Sequence, residues 1–220
     1  MSEPIRFHFD PLCPWCYQTS RWVRRLEELG EVSVDWRVFS LAIANRGDEG
    51  RAASDVGSAP ALRTAIVLRQ EHGPAAVGRY YAALGAAIHE EERGEDGPAV
   101  DDREMIGAAL REAGVDPEVA DRAMADPATW EAVQREHDEV VTAHRAFGVP
   151  TIVLDGGSGR AIFGQVITEV PGGPEAVELW RHVTWLVRYE NFSELKRERT
   201  RQPDLASVRR WERRRASAAA

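Results

Sequence analysis

The chain has 220 residues, 43% hydrophobic and 29% charged, enough apolar material for one substantial core and too much for a disordered or mini-protein scaffold. Its 36 acidic residues outnumber 28 basic ones, for a formal net charge of −8, which argues against a protein that coats nucleic acid or an anionic membrane. The apolar runs are far too short to cross a bilayer, and Met1 to Phe9 lack the basic and apolar regions of a signal peptide, so the expected compartment is the cytoplasm.

Ile5, Phe7 and Phe9 alternate with Arg6, His8 and Asp10, the period of a strand, and Pro11-Leu12-Cys13 then turns the chain. Trp15, Trp22, Val23, Leu26 and Leu29 recur at helical spacing as far as Gly30, a C-terminal stop. Val32, Val34, Trp36 and Val38 alternate as a second strand. Such a strand-helix-strand unit should be right-handed with parallel strands. Residues 45–58, rich in Gly, Asp, Arg and Ser, read as a loop. Residues 60–71, 75–92, 101–113, 117–124 and 128–147 carry helical spacing, punctuated by Gly73-Pro74, Gly94 to Pro98, Gly114 and Asp126-Pro127. Strand character returns over 151–154 and 161–163, joined by a turn from Asp155 to Gly159. A last helix presents Ala176, Val177, Trp180, Val183, Thr184 and Val187 on its buried face. Beyond Pro203, Leu205, Val208 and Trp211 sit among arginines at helical spacing, a segment expected to dock weakly or fray.

The only two cysteines, Cys13 and Cys16, flank Pro14 and Trp15 at the start of the first helix. A disulfide between them would close too short a loop to stabilise a fold, and in a reducing compartment Cys-x-x-Cys is redox-catalytic or metal-binding. The N–H groups at a helix start favour a thiolate. Cys13 is therefore expected to be the exposed, attacking sulfur, its pKa lowered from ~8.5 to between about 3.5 and 7.5. Cys16, one turn on, faces inward where it can attack a mixed disulfide formed at Cys13. Pro14 suits the first helical position. Val149-Pro150-Thr151 puts a proline directly before a strand, where a cis bond could present backbone to a substrate.

Other readings of these residues are plainer. Zinc is disfavoured because no second Cys-x-x-Cys or close His pair completes a site, so no metal is expected. His137 and His144 read as a solvated helix face, and His8 as an ordinary buried histidine. Trp22, Trp36, Trp180 and Trp185 fall at core positions, whereas Trp15 offers an exposed indole to an aromatic substrate. The Gly156 to Gly159 cluster lacks the ending of a phosphate loop, and no dinucleotide fingerprint is present, so no tightly bound cofactor is expected.

The Cys-Pro-Trp-Cys motif, the later X-Pro-strand and the long helical interruption resemble the DsbA-like branch of the thioredoxin superfamily. More narrowly, the run from Phe9 to Cys16, Thr19 to Trp22, Ser40 to Ile43 with Asn45, Ile88-His89, Gly148 to Ile152, Phe163-Gly164 and Glu194 to Thr200 resemble the mycothiol-dependent nitroreductase family. The resemblance implies an α/β, thioredoxin-like fold (βαβ + ββα) with an inserted all-helical domain. Residues 1–45 and 148–200 would form the discontinuous thioredoxin-like domain, 46–147 the helical insertion and 201–220 a C-terminal tail. It further implies a thiol-disulfide oxidoreductase that reduces nitro compounds or disulfides with mycothiol as thiol co-substrate. Cys13 would attack, Cys16 resolve and Pro150 be the cis-proline, between Val149 and Thr151; Trp15, Asn45 and His89 would lie near the pocket. A protein thiol is a second candidate reductant. The alternatives are a DsbA-like protein disulfide oxidase or isomerase, and a redox-switched chaperone.

Overall fold

The computed structural model describes residues 2–91 and 102–218. Strands β1 (Glu3–Phe9) and β2 (Val32–Val38) pair in parallel with Phe7 opposite Trp36, connected by helix α1 (Pro14–Glu28). On the other side of β1, β3 (Thr151–Val153) runs antiparallel with His8 opposite Thr151, and β4 (Ala161–Phe163) closes a mixed sheet of order β2-β1-β3-β4. The Asp155 to Gly159 turn between β3 and β4 includes a short 3-10 turn. The apolar period of β1 buries Ile5, Phe7 and Phe9 in one continuous core.

The chain then runs through α2 (Leu41–Arg46), α3 (Asp48–Ala52), α4 (Ala59–His72), α5 (Pro74–His89), α6 (Arg103–Glu112), α7 (Glu118–Ala125), α8 (Ala128–His144) and, after the sheet, α9 (Gly173–Arg188) and α10 (Ala206–Ala218). The predicted turn from Gly94 to Pro98, Glu92 and Asp101 lie outside the described residues. Trp22 of α1 donates to the Ala176 carbonyl of α9 at 3.1 Å, and its ring meets Trp180 at 6.0 Å. On α5, Gly78 and Gly85 stand where a Cβ would run into the Trp36 indole and the Tyr17 ring. Their lack of a side chain brings α5 down onto β2 and α1.

Four expectations need correction. Part of the predicted loop is α2 and α3: Ser40 Oγ accepts from the Ile43 N–H at 3.3 Å to cap the first, and both are too short to display a helical period. Trp185 is 61% exposed and stacks on Tyr189 rather than joining the core. His137 is buried rather than solvated, its ring 4.4 Å from Phe39 and its Nδ1 accepting from the Ser40 N–H at 3.4 Å. The tail is docked rather than frayed as far as Ala218: Leu205 and Val208 are buried with Tyr17, and Arg210 donates to the carbonyls of Ile88 and Glu91 at the end of α5.

A buried carboxylate ties the helices to the sheet. Glu136 of α8 accepts from the backbone N–H of Val38 at 3.1 Å, from Arg37 at 3.1 Å and from both terminal nitrogens of Arg69 on α4. Its removal would take the acceptor from a strand amide and one acceptor from each of two guanidiniums, leaving Arg37 with Asp35 and Arg69 with the Trp36 carbonyl. Glu136→Ala is therefore expected to destabilise the fold by about 3–5 kcal/mol, read from the midpoint of urea denaturation.

Candidate active site

Cys13 is the residue that caps α1. Its backbone is extended (φ −85°, ψ 109°), its Sγ accepts from the Cys16 N–H at 3.3 Å, and Pro14 occupies the first turn, where its missing donor costs nothing. Across from it, the Val149–Pro150 peptide bond is cis, and the Cys13 thiol donates to the Val149 carbonyl at 3.8 Å. Thr151, the first residue of β3, is buried and donates to the Gly148 carbonyl at 2.7 Å, fixing the turn that carries Pro150. Cys16 is fully buried one turn behind, its thiol donating to the His8 carbonyl at 3.7 Å. Both cysteines are free thiols.

The turn before Cys13 is held from beneath. Asp10 is fully buried; one carboxyl oxygen accepts from the Leu12 N–H at 2.9 Å, the other from the Leu41 N–H at 2.8 Å and the Ser58 hydroxyl at 2.9 Å. Its backbone carbonyl also accepts from the Cys13 N–H at 3.1 Å. His89 grips the same turn. The Pro11 carbonyl can only accept, so His89 Nε2 carries the hydrogen at 2.9 Å, and Nδ1 accepts from the Ser207 hydroxyl at 2.8 Å. The ring stacks on Tyr17 at 5.2 Å. His89 thus joins the motif turn to α10.

The electrostatics depart from the sequence-based expectation of a lowered Cys13 pKa. Burial pushes the Cys13 thiol up to about 11, an effect the Asp10 charge reinforces, while the N–H groups of Cys16 and Trp15 and the Arg199 guanidinium pull it back down. Helix position alone suggested the second set and gave no sign of the desolvation. Burial, joined by the nearness of Cys13, also raises Cys16 well above the ordinary thiol value.

A family model for the Rv2466c-like proteins, described as mycothiol-dependent nitroreductase Rv2466c, matches residues 12–197. The chain belongs to the Rv2466c-like mycothiol-dependent nitroreductase family. It is 35% identical over 195 residues to the uncharacterized protein Rv2286c of Mycobacterium tuberculosis, covering 88% of this chain and 81% of that one. Solved structures share the fold at low identity. A putative protein disulfide isomerase from Nitrosomonas europaea has a TM-score of 0.57 at 12% identity, covering 83% of this chain and 99% of the other. The cytosolic disulfide reductase DsbM from Pseudomonas aeruginosa, solved with GSH, has a TM-score of 0.56 at 17% identity, covering 83% and 100%. The fold is DsbA-like and thioredoxin-type, and membership of this family makes the protein an oxidoreductase. Among the described residues no helix is long and apolar enough to cross a membrane.

Within this Rv2466c-like framework the rim differs from the sequence picture. Trp15 is half-buried, and Arg199, from the irregular segment before α10, lies over its ring at 5.2 Å. Asn45 is exposed on α2, whose first N–H is the one bound by Asp10. Sequence reasoning missed Asp10, Ser58, Arg24 and Tyr81, all beside or behind the cysteines. An acid three residues ahead of Cys13 was the one readable hint.

Two outcomes follow from these charges. Removing the Arg199 cation in Arg199→Ala should slow alkylation of Cys13 at neutral pH by about threefold, with a smaller effect at high salt; rates of iodoacetamide modification in a Cys16→Ser background measure it. Burial lowers His89 from 6.5 to about 4 and His8 to about 3. The unfolded chain then binds more protons between these values, so the stability these groups contribute is complete above pH 6.5 and declines as the pH falls towards 4. Urea midpoints measured from pH 7 to 5 should fall, and His89→Gln should flatten the dependence by up to about 1.4 kcal/mol per pH unit.

Proposed function

We propose that the protein is a cytoplasmic dithiol reductase that draws electrons from mycothiol and passes them through Cys13 and Cys16 to disulfides or nitro compounds. The observation that carries this reading is the pairing of a sulfur at the cap of α1, facing the Val149 carbonyl, with a fully buried second sulfur behind it.

In this reading Cys13 loses its proton and attacks one sulfur of a substrate disulfide, forming a mixed disulfide and releasing the other sulfur as a thiolate. Cys16, deprotonated in turn, attacks Cys13 Sγ; the Cys13–Cys16 disulfide forms and the second substrate thiolate leaves. Two molecules of the small thiol then reduce the protein disulfide and leave as their own disulfide. With a nitro compound, the same two electrons and two protons convert R–NO2 to R–NO and water. The cis-bonded Val149-Pro150 and Thr151 form the wall that aligns the substrate backbone or its equivalent, and Trp15 with Asn45 borders the pocket. Residues 1–45 and 148–200 act as the redox unit, 46–147 as its helical cover and 201–220 as a tail that braces the motif helix. The family to which the chain belongs supports mycothiol as the reductant.

Turnover of a nitroaromatic probe should be faster with mycothiol than with glutathione or dithiothreitol at equal concentration, and equal rates would remove mycothiol from the scheme. Cys13→Ser is expected to lose at least about a hundredfold in rate. Cys16→Ser should accumulate a mixed disulfide at Cys13, visible as added mass on the intact protein.

A further inference from the structure

A buried cation stands behind the second cysteine. Arg24 lies on α1 two turns after Cys16, and its side chain runs back towards the start of the helix, where Nη1 donates to Ser20 Oγ at 2.8 Å. Its guanidinium sits 5.0 Å from the Trp36 ring and 5.2 Å from the Tyr81 ring. Nε and Nη2 are buried and donate to nothing. The Tyr81 hydroxyl is likewise buried without a hydrogen-bond partner, and it acts on the Cys16 thiol in the direction that favours the thiolate.

Such an arrangement is costly in the resting protein. A guanidinium removed from water normally takes a carboxylate or a full set of acceptors. The groups whose charge bears on Arg24 are Tyr81, Tyr17, Cys16 and Glu27, and the Glu27 carboxylate is engaged by the Val34 N–H. The Asp10 carboxylate would oppose a thiolate at Cys16, whereas the Asp10 N–H, the Tyr81 hydroxyl and the Arg24 charge favour it; the Cys13 charge is gone once that sulfur is held in a mixed disulfide. Among these groups the Cys16 thiolate is the anion that exists only during turnover, and the unpaired Arg24 cation favours it. A donor set prepared in advance for a transient charge, in surroundings of low dielectric, is the arrangement by which proteins stabilise reactive anions.

We propose that Arg24 is a positioning residue for the second half of the reaction: through the ring and hydroxyl of Tyr81 it stabilises the Cys16 thiolate as that sulfur attacks the Cys13 mixed disulfide. The step is Cys13–S–S–R plus Cys16–S⁻ giving Cys13–S–S–Cys16 plus R–S⁻, with the Cys16 proton passing to solvent. The assignment rests on the reading of Cys16 as the resolving sulfur and adds to it a device acting on one cysteine of the pair.

The test uses the reduced full-length protein mixed in a stopped-flow instrument with an excess of a symmetrical aromatic disulfide whose thiolate is coloured. Release of the first thiolate reports attack by Cys13, and release of the second reports resolution by Cys16. In Arg24→Met the second phase should slow by about tenfold at neutral pH and its pH profile should move up by about one unit, with the first phase unchanged. Arg24→Lys should recover part of the loss, since it restores charge without the planar fork. Tyr81→Phe keeps the ring, removes the hydroxyl and should likewise slow only the second phase. Absence of a second phase in the unaltered protein would overturn the resolving role of Cys16 itself. A normal second phase that Arg24→Met and Tyr81→Phe leave unchanged, or equal slowing of both phases without rescue by lysine, would overturn the role of Arg24 alone.

Discussion

Three segments distant in sequence meet on one carboxyl group. Asp10 takes the N–H of Leu12 in the motif turn, the N–H of Leu41 at the start of α2 and the hydroxyl of Ser58 just ahead of α4. Burial raises its pKa, and the three donors work against that rise. Because a buried acceptor group is costly unless satisfied, the three partners are held to one arrangement. The turn that aims Cys13, the entry to the helices and the first long helix are therefore set together. The Pro11 carbonyl, the next group along the chain, extends the same joint through His89 to Ser207.

The sheet itself is small, with two strands of seven residues and two of three. Much of the interior comes instead from α4 and α5, and even Arg63, in the middle of α4, is buried with its guanidinium spent on Thr129 and on the carbonyls of Ser54, Ala123, Met124 and Asp126. The helical segment is thus fastened to the sheet by polar groups at several points, Glu136 and Asp10 among them, as well as by apolar packing. The cysteines sit in this junction. Cys16 faces Tyr81 from α5, and Cys13 faces Val149 beside β3.

Elements with a clear apolar period were legible from the sequence. β1, α1 and β2 read directly, as did α4, α5, α7, α8 and α9, because each buries one face or, in α4, nearly every face. The candidate site stood out for a different reason: two cysteines at helical-turn spacing leave few roles. What escaped depends on partners far along the chain. Arg24 looks like one more charged residue on α1 until Trp36 and Tyr81 arrive from β2 and α5. His137 carries no sign that Phe39 and Ser40 will enclose it, and Trp185 continues an apolar stripe that outruns the surface it covers. The raised pKa of Cys13 belongs to the same class, since desolvation is a property of the assembled site.

The two glycines of α5 bear on how such a chain can diverge. At positions 78 and 85 any side chain meets an aromatic ring, so the approach of α5 to β2 and α1 tolerates little change, and with it the seat of Tyr81 above Arg24. The rim is under no such restriction. Leu12, Phe147 and Phe163 are all substantially exposed, next to the motif and the proline turn. Drift at those three positions can alter the surface beside the motif while the interior behind the cysteines stays as it is, so rim and interior are open to selection separately.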